Sequence, residues 1–248
     1  MTDKNVKKIL KSPLFLSLCI LMTVYTAASL ISIIPESVFG NPLHFFYSQD
    51  IIGINVESNP LIIIITLAVN MLFAFPPILL TVGLWTVYIK SIRNIRTNSG
   101  YRCIYTGAVA HIVLWMLIGV AGIVGLIFGL TVMTDGTLYN ILKYGSIAVS
   151  SLCIPLSAFY IIFSVNIAEA STTVKRAETR KEKGTKAMLP LAILSFICAF
   201  FSTTVFGILI FMMKTDMPVL TAVYFLTLTA AYVLIGIISL KLKKLIRK

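Results

Sequence analysis

Pro76 and Pro77 stand side by side in "FAFPPILL" (Phe73 to Leu80), inside an uninterrupted apolar run from Leu61 to Ile89. In a helix neither proline donates a backbone hydrogen, so the carbonyls of Leu72 and Phe73 lose their usual partners. An unsatisfied carbonyl is costly in hydrocarbon, and something must answer it. Thr66, Asn70, Ala74, Pro77 and Thr81 recur at helical spacing and form one polar-and-small stripe, expected to face protein. A bend aimed at that stripe would make a polar site at membrane depth, as the broken helices of transporters do. The plainer alternative is a structural kink, with Asn70, Thr66 and Thr81 bonding neighbouring helices. His111 completes the candidate set, because it is the one side chain in any apolar run that titrates near neutrality. It reads either as a proton-relay residue or as a hydrogen-bonded packing residue.

Other chemistry is missing from the sequence. There is no HExxH, no P-loop, no Ser-His-Asp set and no pair of intramembrane aspartates. Cys19, Cys103, Cys153 and Cys198 lie in or beside apolar runs without CxxC spacing, and read as small buried hydrophobes. No catalytic, cofactor-binding or metal site is therefore expected, and a lipid-modifying membrane enzyme is the least favoured reading.

The composition says where these residues must sit. Apolar residues make up 58% of the 248 and charged residues 12%, with a mean hydropathy of +0.96. Soluble domains are nearer about 45–50% and about 25%. A net charge of +12 would suit nucleic acid only on a water-soluble basic face, and no segment supplies one.

Six runs free of Asp, Glu, Lys and Arg are long enough to cross about 30 Å of hydrocarbon: 14–34, 61–89, 103–133, 144–168, 187–213 and 217–240. The first exceeds a signal-peptide core of roughly 7–15 residues and reads as an uncleaved helix. With the N-terminus inside, all of the 21 basic residues except Lys143 and Lys214 fall on the inner side. Glu36, Asp50, Glu57, Asp135 and Asp216 fall outside. That asymmetry predicts an all-α integral membrane bundle of six transmembrane helices with both termini cytoplasmic.

The outer loop 35–60, containing "LHFFYSQDIIGINV", is expected to lie in the headgroup region, the alternative being a re-entrant segment. "ASTTVKRAETRKEKGTKA" (170–187) is expected to prolong the fourth span until Gly184 breaks it. The basic loops and the tail "LKLKKLIRK" suit anionic inner-leaflet lipids. In the third span Ala121, Gly125 and Gly129 form a small-residue stripe. Ser146, Ser150, Cys153, Ser157 and Ser164 share a face of the fourth, and Ala192, Ser195, Ala199 and Ser202 one of the fifth. Such stripes fit a compact bundle or a homo-oligomeric contact.

"KSPLFL" (11–16) and "ILLTVGLWTVYIKS" (78–91) resemble segments of uncharacterised multi-pass membrane proteins of Gram-positive bacteria. The likeness is clearest over residues 11–20 and 75–92, and implies packing and topology but no activity. The layout is also similar to the membrane subunit of ATPase-driven exporters of the ABC-2 type, although the loop from Lys90 to Arg102 lacks an acidic coupling segment. The expectation is a non-enzymatic, permease-like or accessory protein of a bacterial cytoplasmic membrane, the alternative being an exporter subunit with a partner ATPase.

Single-cysteine labelling in a Cys-free background tests the threading. Positions 48 and 137 should label from outside intact cells, and 98 and 183 only after permeabilisation. Outside labelling at 183 would remove the six-span arrangement.

Overall fold

A computed structural model describes residues 2–31, 60–95, 98–131, 137–178, 186–213 and 219–246. These residues are helical, with no strand among them. In chain order the helices are α1 (Thr2–Leu10), α2 (Pro13–Ile31), α3 (Pro60–Ile92), α4 (Asn98–Thr131), α5 (Thr137–Glu178), α6 (Met188–Met213) and α7 (Val219–Ile246). Six of them, α2 to α7, are long and apolar enough to cross a membrane. The expected outer loop lies outside the described residues up to position 59, its last residue Pro60 opening α3, and the chain around Gly184 lies outside them too, while α5 does run on past the apolar run to Glu178.

Neighbour contacts close the six long helices into a ring in the order α2, α3, α4, α5, α6, α7 and back to α2. The seam between α4 and α5 is the most extensive and that between α5 and α6 the sparsest. Lipid-facing positions such as Leu117, Val124, Phe128 and Phe200 stay exposed, because hydrocarbon solvates them as well as a core would.

The α4–α5 hairpin is packed where its side chains are small. A Cβ on Gly129 would lie 2.6 Å from Ser146 Oγ, and one on Gly125 2.6 Å from Ser150 Oγ. Gly122 sits over Cys153 and Gly119 over Ser157. The same antiparallel register continues through Trp115 stacked on Tyr160, at 4.3 Å between rings, and His111 bonded to Ser164. Along α5 these contacts alternate in steps of four and three, the spacing of knobs-into-holes packing. One member of the expected stripe is corrected: Ala121 is exposed, and the buried Gly122 takes its place. The expected faces on α5 and α6 are found inward, with Ser150, Ser157, Ser164, Ala192, Ser195, Ala199 and Ser202 all buried.

At the α3–α4 seam the backbones themselves meet. A Cβ on Gly83 would stand 2.8 Å from the Ile104 nitrogen, and one on Gly100 2.9 Å from the Val87 nitrogen. The connection that allows this is a tight helix stop. Asn94 adopts a left-handed φ of 56°, Ile95 N donates to Lys90 O at 2.9 Å, and Asn94 N donates to Ser91 O at 3.2 Å. This is the double closure of a Schellman turn, in which asparagine tolerates the left-handed position. Lys11 Nζ donates to Asn94 Oδ1 at 2.7 Å, tying the turn to the start of the chain.

That start holds an element absent from the sequence reading. Val6, Ile9 and Leu10 on one face of α1 are buried against the terminus-bearing end of the ring, where α1 touches α2, α3, α5 and α7. Ser12 then caps α2, its main-chain oxygen accepting from Phe15 N and Leu16 N, with Pro13 at the first helical position. The "KSPLFL" motif is this corner.

The two seams differ in tolerance. Gly83→Ala or Gly100→Ala drives a methyl into main chain, which cannot rotate away, and should cost about 1–3 kcal/mol. Thermal unfolding in detergent should show a lower midpoint for both variants. Gly207→Ala, with nothing within 4 Å of the added carbon, should unfold at the native temperature or slightly above.

Candidate functional site

Among the described residues of the proline-containing stripe, Ala74, Pro77 and Thr81 line neither of the two cavities described below, and nor does Pro76. Pro76 and Pro77 lie within a continuous α3, both buried, as are Ala74 and Thr81. The side chains of Leu72 and Phe73 point outward. Thr66 and Asn70 fall on the N-terminal half of α3, and their side chains lie outside the described residues. Thr81 is fully engaged. Its hydroxyl is 2.8 Å from Thr26 Oγ1 on α2, and both hydroxyls reach the Met22 carbonyl, at 3.2 and 2.7 Å. Thr26 also points at the Pro77 carbonyl from 3.5 Å. Just past the prolines, then, two hydroxyls hold α3 against α2.

His111 belongs to a different seam. Its Nε2 takes the indole N–H of Trp115 at 2.9 Å, and its Nδ1 lies 2.7 Å from Ser164 Oγ. Indole nitrogen can only donate, so Nε2 is the acceptor and Nδ1 carries the ring proton. Ser164 accepts that proton and passes its own hydrogen to the Tyr160 carbonyl at 2.8 Å. The chain of bonds has one direction, and a neutral imidazole satisfies every member. A second proton on Nε2 would face the indole N–H, so a relay through His111 would first have to break the Trp115 bond. Thr81 and His111 thus have separate partners and are not brought into one site.

The structure points instead to the centre of the ring. A cavity of about 130 Å³ lies toward the terminus-bearing end and is lined from all seven described helices. Leu10 of α1 closes its base. Met22, Leu84, Ile104, Leu191 and Ile238 form its wall, and the polar side chains on it are those of Tyr101, Ser171 and Ser239. One turn past Met22 on α2, Thr26 meets Thr81, the neighbour of the lining residue Leu80 on α3. Beside this pair the tyrosines gather: Tyr25 and Tyr224 approach hydroxyl to hydroxyl at 3.3 Å, and Tyr232 packs edge-on against Phe163. Tyr160 reaches Tyr232 from α5. The chamber therefore has an apolar wall, a helical plug at one end and a phenol-and-hydroxyl layer at the other.

These tyrosines and α1 went unread in the sequence, although signals existed. Tyr25, Tyr160, Tyr224 and Tyr232 fall inside apolar runs, whereas tyrosine favours the membrane interface. Val6, Ile9 and Leu10 have helical spacing within a charged segment. All four cysteines are free, Cys19 and Cys198 being buried. Among the described residues no group of three His, Cys, Asp or Glu side chains could hold a metal ion.

Compared with known proteins, the chain matches no family model, no curated protein and no solved structure.

The His111 bonds generate a prediction. His111→Gln keeps one acceptor and one donor, and should unfold within about 1 kcal/mol of the native chain, whereas His111→Leu strands the Trp115 N–H and should cost about 1–3 kcal/mol. In liposomes with a trapped pH-sensitive dye, the protein alone should carry no proton flux. A flux that His111→Gln abolishes would make His111 a proton site.

Proposed function

We propose that this chain is a non-enzymatic, permease-like or accessory protein of a bacterial cytoplasmic membrane, with both termini inside, whose ligand is small, uncharged and mainly apolar. The observation that carries this reading is the central chamber, where every described helix contributes to one apolar wall. A charged ligand would lose its hydration there with no counter-charge to meet it, whereas one bearing a hydroxyl would find Ser171, Ser239 or the Tyr101 phenol. The sparse α5–α6 seam suits entry sideways from the lipid, and α1 suits closure toward the cytoplasm. The charge asymmetry of the loops supports the orientation.

The chamber is close in size to an engineered apolar cavity of roughly 150 Å³ that binds benzene. Benzene is therefore the probe of choice. It should raise the unfolding temperature of the purified protein by mass action and leave Ala170→Phe, which fills the chamber from α5, unshifted. Equal shifts in both proteins would place the effect in the detergent and remove the chamber reading. Steady co-purification of an ATPase from native membranes would favour the exporter subunit instead.

A further inference from the structure

A second cavity, of about 310 Å³, opens on the outer side of the α4–α5 hairpin near the terminus-bearing end. It shares Tyr101 and Ser171 with the chamber, but the rest of its lining is polar or charged. Arg102 and Tyr105 come from α4, Lys175 and Thr172 from α5, with Thr106 and Ser171 between them. Arg102 and Tyr105 are exposed, so their polar ends are open to the groove's mouth. The Ser171 and Thr172 hydroxyls donate to the carbonyls of Ala168 and Glu169, each at 2.8 Å. The exposed Arg102 guanidinium and Tyr105 phenol are therefore the leading donors at the mouth, and the half-buried Lys175 adds a second positive charge beside them. Glu169 does not line the cavity, but it is exposed on the same face of α5, between Val165 and Thr172, and borders the groove where the cationic end gives way to the apolar one.

The faces that carry these residues change character along the helices. On α4, Val109 and Val113 follow Arg102 and Tyr105 at helical spacing, and on α5, Val165 and Ile162 precede Thr172 and Lys175. All four apolar residues are exposed, at 37%, 52%, 45% and 53%. The groove therefore has a cationic, hydroxylated head and an apolar track leading into the depth of the membrane. A soluble phosphate would use the head alone, whereas a phospholipid uses both.

We infer that this groove binds one anionic phospholipid, with its phosphate between Arg102 and Lys175 and an acyl chain along Val109, Val113, Val165 and Ile162. Guanidinium offers paired donors to phosphate oxygens, and basic pockets between membrane helices are suited to such headgroups. The inference rests on the reading that this end of the bundle lies at a leaflet surface. Bound lipid would brace α4 and α5, the hairpin that contributes both His111 and part of the chamber wall.

Native mass spectrometry in detergent tests binding without depending on which leaflet is faced, so its failure is separable from a failure of the topology. The native chain should retain one phosphatidylglycerol and discriminate against phosphatidylcholine. At about 1 kcal/mol of lipid attraction per basic residue, Arg102→Gln with Lys175→Gln should weaken retention about 30-fold. The charge-preserving pair Arg102→Lys with Lys175→Arg should retain it, and so should Lys243→Gln with Lys244→Gln in the tail. An unfolding midpoint equal to the native one shows that the glutamine pair is folded. Three results would each overturn the inference: equal retention by a folded glutamine pair, no preference over phosphatidylcholine, or full displacement of the lipid by an equal concentration of inorganic phosphate.

Discussion

In a bilayer, helices gain little from hiding apolar surface from one another, because the lipid tails are just as apolar. Close contact between main chains is what remains, and this bundle depends on it at the α3–α4–α5 unit. Gly83 and Gly100 let α3 and α4 meet backbone to backbone, and Gly119, Gly122, Gly125 and Gly129 let α4 receive the serines of α5. The contact brings dispersion over a long seam and places short hydroxyls where they can bond locally. Everything farther along the hairpin inherits that register, including the Trp115–Tyr160 stack and the His111–Ser164 bond.

The remaining helices complete the ring by other means. A flat Phe196 ring lies over Gly236 where α6 meets α7, and Thr229 donates to Ser202 at 2.9 Å. Trp85 donates to Thr23 at 2.8 Å between α3 and α2, near the Thr26–Thr81 pair. Such bonds are modest singly in a membrane, of order 0.6 kcal/mol on average where measured. Their value here is directional: they set how each helix is rotated, and so which residues meet at the centre. The sparse α5–α6 seam is the place where the ring is least committed.

Two kinds of interior result. The chamber is apolar because the inward positions near α1 are leucine, isoleucine and methionine, while the layer beyond it collects tyrosines and threonines from α2, α3, α5 and α7. Polar groups concentrated in one layer can satisfy one another; scattered singly along the wall they would each face hydrocarbon unpaired. The outer groove at Arg102 and Lys175 is different again, since its charges sit near the helix ends, where long basic side chains reach the interface.

Much of the architecture was written in the sequence, because hydropathy and length act residue by residue and need no partner. The six apolar runs follow from hydropathy and length, and the inward faces of α5 and α6 from helical periodicity. The candidate site was less legible. Pro76, Pro77 and Thr81 do turn inward, yet what Thr81 meets is Thr26, a residue of another helix that no spacing within α3 announces. The choice between Ala121 and Gly122 was likewise undecidable, since both are small and a one-residue rotation of α4 exchanges them. His111 could have been a relay or a strut until Trp115 and Ser164 were seen on its two nitrogens. Tertiary structure decided these points because each depends on the rotation and register of two helices at once, and those are set by the shape of the facing surface.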